Sequence, residues 1–343
     1  MAETDPLALD EARVSAHLER AVPGFRGPVR ARKFAGGQSN PTYRLDAASG
    51  VYVLRRKPPG ALLKSAHAVD REHRVMAALA ETDVPTPRML HLCEDDAVIG
   101  SAFFVMEHVE GRVFEDPRLD GLSPEERARL YDEMNRVLAA VHQIDVEAVG
   151  LADFGRPANY TARQFKRWSE QYRASETEII PEMDALIDWL GAHMIADGAA
   201  GLVHGDYRLD NLIFAPDAPR ALALLDWELS TLGDPFNDLA YQVMQWRMPT
   251  GTEGRGLAGV DRAALGIPSD EAYVETYARR MGVSEVPDFD YRLAFNFFRM
   301  GAIVQGVKKR ALDGNASNPE KAMRMAEFIP LYARRGVEAA GIA

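Results

Sequence analysis

The chain has a single cysteine, Cys93, among 343 residues, so no intramolecular disulfide can form, and no Cys/His grouping has zinc-site spacing. Cys93 reads as a small buried hydrophobe. Basic charge is short as well: 40 Lys and Arg face 51 Asp and Glu, a net of −11, and such a field repels nucleic acid and anionic membrane surfaces. Apolar runs long enough to span a membrane are missing, and the stretch MAETDPLALDEARV carries acidic residues where a signal peptide is basic. These absences predict a cytoplasmic chain with no nucleic-acid or membrane partner. No internal repeat, low-complexity run or flexible linker appears, and nothing indicates an oligomeric state. With 47% hydrophobic residues the chain is long enough for two cores.

What is present centres on 201–228, GLVHGDYRLDNLIFAPDAPRALALLDWE. An apolar lead-in delivers His204-Gly205-Asp206, and Asn211 follows. Two short apolar runs, 212–215 and 221–225, flank the turn-rich Pro216-Asp217-Ala218-Pro219, which is a hairpin signature. A turn centred near residue 218 sets Asn211 across the ladder from Asp226, with both at the open end facing Asp206. Two carboxylates and an amide suit a hard cation such as Mg2+ beside substrate phosphates. Phosphoryl transfer uses such a set: Asp206 accepts the proton of the attacking hydroxyl, and Asn211 and Asp226 hold metal on the nucleotide phosphates. Glu228 is a further candidate ligand. Arg208 can neutralise the transferred phosphate, and His204 anchors the loop by hydrogen bonds.

The order and spacing match a kinase catalytic loop and its metal-binding aspartate, with HGD and DWE in place of HRD and DFG. The stretch resembles the aminoglycoside phosphotransferase-like kinases. The resemblance implies an α+β, bilobal, protein-kinase-like fold: a small antiparallel-sheet lobe over 1–107 and a larger helical lobe over 108–343. It also implies ATP as donor, Mg2+ as cofactor and a small-molecule hydroxyl as acceptor.

Upstream, strands are expected at 29–34 and 42–45 around Gly36-Gly37-Gln38-Ser39-Asn40. Glycines there let the backbone approach phosphate, and Ser39 and Asn40 add donors. FAGGQSN resembles the family's short phosphate loop and lacks the full G-x-G-x-x-G of protein kinases. In the strand VYVLRRK, Val53 and Arg55 share a face, so Val53 can cover a base while Arg55 reaches the α/β-phosphates. Helix 65–80 carries Glu72. Arg55 and Glu72 stand where kinases pair a strand lysine with a helix glutamate, with Lys57 as the rival cation. Glu107-His108-Val109-Glu110-Gly111 resembles the hinge, where the Glu107 carbonyl and the Val109 N–H would hold adenine.

Ser123-Pro124-Glu125-Glu126 predicts a capped helix running to about His142, a packing histidine. Phe165, Trp168 and Tyr172 lie at helical spacing over 161–174, near the family's acceptor cleft. Asp238 begins a helix and, by the resemblance, braces the catalytic loop. The stretch 249–271 reads as a polar, mobile insertion. The basic residues of helix 288–312, Arg292, Arg299, Lys308, Lys309 and Arg310, together with Gln305, read as a solvated face.

Within the family, VLRRKPPGALLKSAHAVDREHRVMAAL and NFFRMGAIVQGVKKRALDGNAS look like the kinase domain attached to certain acyl-CoA dehydrogenases. That likeness implies a hydroxyacyl acceptor, such as a hydroxyacyl-CoA or hydroxy acid. An aminoglycoside or amino-alcohol kinase is the alternative, a nucleotide-binding pseudokinase scaffold is a reading of another class, and a metal-dependent phosphoesterase is a third.

Overall fold

The computed structural model describes residues 8–34, 40–58, 68–251, 255–316 and 318–343. In chain order its elements are α1 (Glu11–Ala21), β1 (Arg30–Lys33), β2 (Thr42–Ala47), β3 (Gly50–Arg56), α2 (Val69–Ala78), β4 (Met89–Cys93), β5 (Phe103–Glu107), α3 (Pro124–His142), α4 (Tyr160–Ser175), α5 (Pro181–Ala192), β6 (Gly201–Val203), β7 (Leu212–Phe214), β8 (Ala221–Leu224), β9 (Thr231–Gly233), α6 (Phe236–Trp246), α7 (Arg262–Leu265), α8 (Asp270–Met281), α9 (Phe289–Leu312), α10 (Pro319–Ala326) and α11 (Ile329–Ala340). Single 3-10 turns cover Leu209–Asn211 and Trp227–Leu229.

The contacts divide the chain into two units. The first holds Met1–Arg112, Ala148–Leu151 and Asn211–Ser230; the second holds Val113–Glu147, Ala152–Asp210 and Thr231–Ala343.

In the first unit, β-branched and aromatic runs build a five-stranded antiparallel sheet in the order β1-β2-β3-β5-β4. Asp10 caps α1 by accepting the amide of Arg13, and the helix buries Val14 and Leu18 with Leu45, Leu54, Phe103 and Val105 from the sheet. Helix α2 packs on β4, β5 and the 227–229 turn, burying Glu72 with its apolar face. The hairpin β7–β8 belongs to this unit, and its register is Leu212↔Leu224, Ile213↔Ala223 and Phe214↔Ala221 with an irregularity at the last step. The amide of Leu225 donates to the carbonyl of Asn211 at 2.8 Å, so Asn211 faces Leu225 and not Asp226. The sequence expectation missed this register by one residue: beside the turn, where the Ala215 amide donates to the Arg220 carbonyl, the pairing is two residues short of the one that sets Asn211 opposite Asp226, and the irregularity between Ile213 and Phe214 recovers one of the two. Gly111 lies so close to the hairpin that a Cβ would stand 2.3 Å from the Phe214 carbonyl, and Arg112 pairs with Phe214 through two backbone hydrogen bonds.

In the second unit, α9 is the central helix, packed by α4, α5, α6, α10 and α11. Ser123 and Glu126 form the reciprocal cap expected for α3. The short sheet β6–β9 pairs Gly201 with Gly233 and sets the start of the His-Gly-Asp loop.

Two expectations are corrected in this unit. Arg292 is 2% exposed and its guanidinium meets Asp234 Oδ2 at 2.7 and 2.8 Å, while Gln305 is fully buried and donates to the Ser175 carbonyl and the Thr177 hydroxyl. These side chains are core groups with partners on distant elements, and the solvated basic face is confined to the C-terminal end of α9, where Lys309 and Arg310 lie. The stretch read as a mobile insertion is also structured where it is described. It carries α7, buries Leu257 and Ile267, and ties Leu257 to the Trp246 carbonyl, because scattered apolar residues among its polar ones find the core.

Candidate active site

Arg55 on β3 is the centre of an acidic cluster in the first unit. Its Nε lies 2.9 Å from Glu72 Oε2, an ionic contact without hydrogen-bond alignment. The same guanidinium reaches Asp226 Oδ1 at 2.7 Å and Glu228 Oε2 at 3.6 Å. Glu228 also accepts from the amide nitrogen of Asn40 at 3.4 Å. Three carboxylates thus share one guanidinium. Glu72 is almost fully buried, and burial first, then the neighbouring charges of Asp226 and Glu228, push its carboxyl up to about 7 against the pull of Arg55 and of the Trp227 amide. Arg55 is itself raised: burial opposes its charge, and the Glu72, Asp226 and Glu228 carboxylates outweigh that penalty.

Asp226 leaves β8 with φ +65°, ψ +59°, the left-handed region that a non-glycine residue enters at a cost of about 1 kcal/mol or more. That turn starts the 227–229 segment and swings the Asp226 and Glu228 carboxylates toward Arg55. Asn211 closes its own 3-10 turn and is 7% exposed. Val53 is buried on β3 between Arg44 and Met106. Lys57, the rival to Arg55, pairs with Asp70 at 3.4 Å and not with Glu72. Glu107 ends β5, where its side chain accepts from the Arg88 amide, and Val109 lies in the connector that follows. Gly36, Gly37 and Ser39 lie outside the described residues.

In the second unit the His-Gly-Asp loop hangs from Asp238, near the start of α6. The amide of His204 donates to Asp238 Oδ2 at 2.6 Å, and that of Gly205 donates to Oδ1 at 3.0 Å. Gly205 adopts φ +84°, which only glycine enters without strain. His142 lies 3.4 Å from the same carboxylate and, through its other ring nitrogen, 2.6 Å from the Tyr277 hydroxyl. Burial alone would raise Asp238. The hydrogen bonds and charge from His142 and His204 win, and the carboxyl is held below its usual range.

Asp206 itself is presented by side chains. The Tyr241 hydroxyl donates to Oδ1 at 2.7 Å, and Arg208 Nε stands 3.1 Å from that same oxygen. The Asp206 amide donates to Nδ1 of the buried His204 at 3.3 Å. The Arg299 guanidinium covers the Tyr241 ring at 5.7 Å and the Trp168 ring at 5.8 Å, and it donates weakly to the Gly205 carbonyl. Arg208 and Arg255 share Asp210. Tyr241 was missed by sequence reasoning altogether. Only its place three residues after Asp238, one turn along α6, could have pointed to it.

A carboxylate braced by backbone and hydroxyl donors in one unit, and a clustered acid pair beside a strand arginine in the other, are what a phosphoryl-transfer enzyme needs. The family model described as "Phosphotransferase enzyme family" matches residues 30–281. The chain belongs to that phosphotransferase family. Within it, the chain is 47% identical over 293 residues to mouse acyl-CoA dehydrogenase family member 10, covering 85% of this chain and 27% of that protein. It is 42% identical over 330 residues to the Arabidopsis thaliana protein named probable acyl-CoA dehydrogenase IBR3, covering 90% of this chain and 40% of that one. The chain therefore spans less than half the length of these curated relatives.

Among solved phosphotransferase-family structures, a Ralstonia eutropha protein named for the aminoglycoside phosphotransferases aligns over 97% of this chain and 99% of its own, with 48% identity and TM-score 0.89. APH(4)-Ia, solved as a ternary complex with ADP and hygromycin B, aligns over 94% and 97% of the two chains with 17% identity and TM-score 0.62. The distant likeness extends the fold assignment: an antiparallel-sheet N-terminal part and a mainly helical C-terminal part, the α+β kinase-like fold of the aminoglycoside phosphotransferases. No helix among the described residues is long and apolar enough to cross a membrane.

Proposed function

We propose that the chain transfers the γ-phosphoryl group of ATP, with Mg2+, to a hydroxyl of a small molecule. The observation that carries this reading is the excess of acid around Arg55, where Glu72, Asp226 and Glu228 face a single guanidinium. In these contacts acid outnumbers base, and a divalent cation on the Asp226 and Glu228 oxygens would offset the excess. The donor set fits magnesium: carboxylates from Asp226 and Glu228 and the amide of Asn211, all oxygen donors. The ion would neutralise charge on the nucleotide phosphates.

The chain's own residues do the rest. Arg55, which now donates to the Asp226 oxygen that a metal would take, turns to the α/β-phosphates, with Glu72 holding its stem in place. Val53 covers the base, and the Glu107 carbonyl and Val109 amide bind the adenine edge. Asn40 is a donor to the phosphates, a role the sequence also gives to Gly36, Gly37 and Ser39. Asp206, held at Oδ1 by Tyr241 and Arg208, orients the acceptor hydroxyl and takes its proton. Arg208 offsets charge on the moving phosphoryl group, and His204 keeps the loop shape.

The acceptor we favour is a hydroxyacyl compound, a hydroxyacyl-CoA or hydroxy acid, and the observation that favours it over an aminoglycoside is charge. Three arginines, Arg208, Arg255 and Arg299, lie in or next to the Asp206 loop of the second unit against the paired carboxylates of Asp206 and Asp210, an excess of one cation that gives a polycation less to bind. The direct experiment is ADP release from Mg-ATP against hydroxyacyl-CoAs, hydroxy acids, aminoglycosides and amino alcohols. Turnover with the hydroxyacyl set supports the reading. Preference for the cationic acceptors would replace the acceptor class, nucleotide binding without any turnover would favour a pseudokinase, and phosphate release without nucleotide would favour a phosphoesterase.

A further inference from the structure

His17 on α1 and His91 and Cys93 on β4 have no part in the chemistry above, yet their ligand atoms all lie within 4.8 Å of one another. Two residues apart on a strand, His91 and Cys93 share a face, and β4 is the outermost strand of its sheet. Helix α1 brings His17 onto that face from 74 residues away, with Nε2 of His17 and Nε2 of His91 2.9 Å apart. Both imidazoles are half-buried and Cys93 is 5% exposed. The Phe103 ring meets both imidazoles edge-on, at 5.7 and 6.3 Å, and closes the core side. Glu94, Asp95 and Asp96 form an exposed acidic rim directly after Cys93.

We infer that His17, His91 and Cys93 form a site for a thiophilic divalent cation of the zinc type, with three protein donors and a fourth position open to water. Two imidazoles and a thiolate are the borderline-soft donors such an ion selects over magnesium. Metal–nitrogen bonds of about 2.0–2.1 Å in a tetrahedron separate two ligating nitrogens by roughly 3.3 Å, so the imidazole pair has to open by only about half an ångström. Burial, with Arg20 also near His17, lowers both imidazoles and favours their neutral, ligating form, even though Asp95 opposes the shift at His17. Burial raises the Cys93 thiol, whose proton now points at the Asp95 carbonyl 3.8 Å away. Binding forms the metal–sulfur bond, releases that proton to solvent and gives up the hydrogen bond between the imidazoles. The bound ion would staple α1 to the edge strand of the sheet.

The test is titration of the whole chain, stripped by chelator and kept in excess Mg2+, with Co2+ and then Zn2+. One Co2+ per chain should bind with a thiolate-to-metal charge-transfer band and the strong visible absorption of a tetrahedral ion. One proton should be released, and Zn2+ should displace the Co2+ and raise Tm. Cys93→Ser should abolish the charge-transfer band. His17→Gln, at a half-buried position that a glutamine fits, should weaken binding by more than about tenfold and keeps the question answerable if the cysteine variant does not fold. Co2+ bound without that band, or wild-type affinity retained in either variant, would mean an adventitious ion only and would overturn the site.

Discussion

In the unit that carries Asp206, the loop is braced before any ligand arrives: Asp238 takes two backbone amides, Tyr241 and Arg208 engage one oxygen of Asp206, and the deep carboxyl is held in its charged form. In the unit that carries Asp226, three carboxylates crowd one arginine, one of them is pushed up to about 7, and the key aspartate sits in a left-handed backbone conformation. The contrast follows from the work each region is proposed to do. A base has to meet a neutral hydroxyl in a set orientation, which favours a complete hydrogen-bond shell made by the protein. A metal–nucleotide site has to receive added positive charge, and a shell already neutral would have nothing to offer it. Stability and function are therefore aligned around Asp206 and opposed around Asp226.

Asp206→Asn should separate chemistry from folding most sharply. Turnover falls by about 10²- to 10⁴-fold, while calorimetry shows nucleotide affinity and Tm near those of the parent. A Tm loss matching the activity loss would assign Asp206 a structural role. Asp238→Ala should do the reverse, costing about 3 kcal/mol in denaturant unfolding because two amides and His142 lose a buried partner. If it unfolds like the parent, the pre-braced half of the comparison is wrong.

The same residue sets a pH signature. Its folded pKa lies below the ordinary value of 3.8, so the stability it contributes is present above that value and is lost as pH falls through the folded pKa. The stability gap between wild type and Asp238→Asn should therefore narrow on acidification below about pH 4 and stay level above it. Glu228→Gln probes the crowded half. Removing one of three like charges should leave metal-free stability within about 1 kcal/mol of wild type, or slightly above it, while raising the Mg2+ concentration needed for turnover. The mildest change is Tyr241→Phe: kcat drops about tenfold through loss of one hydrogen bond to a charged oxygen, and KM for ATP does not move. An unchanged kcat would remove Tyr241 from the presentation of the base.

Which features could be read in advance depends on the distance along the chain over which they act. His204-Gly205-Asp206, the hairpin runs and the Ser123–Glu126 cap are local patterns, and each lies in the structure where the residues place it. The Arg55–Glu72 contact was readable because strand and helix lie seventeen residues apart in a recurrent order. The hairpin register slipped by one because the hydrophobic runs do not fix where the turn is centred: it closes at Ala215 and Arg220, earlier than the expected pairing needs, and the bulge restores only part of the difference. Arg292 and Gln305 were misread for another reason: their partners, Asp234 and Ser175, lie 58 and 130 residues away, and periodicity on one helix says nothing about what faces it. Tyr241 and the His17–His91–Cys93 grouping went unseen on the same ground.

By itself the order of residues determined the family, the kinase-like α+β fold and the identity of the acids proposed for catalysis, because short-range spacing and turn chemistry carry that information. Only the folded chain decided the charge balance around Arg55, the strained turn at Asp226 and which groups engage Asp206 Oδ1. Those depend on groups from separate elements sharing a few ångströms of poorly solvated space, where electrostatic and hydrogen-bond energies are set by position and not by sequence distance.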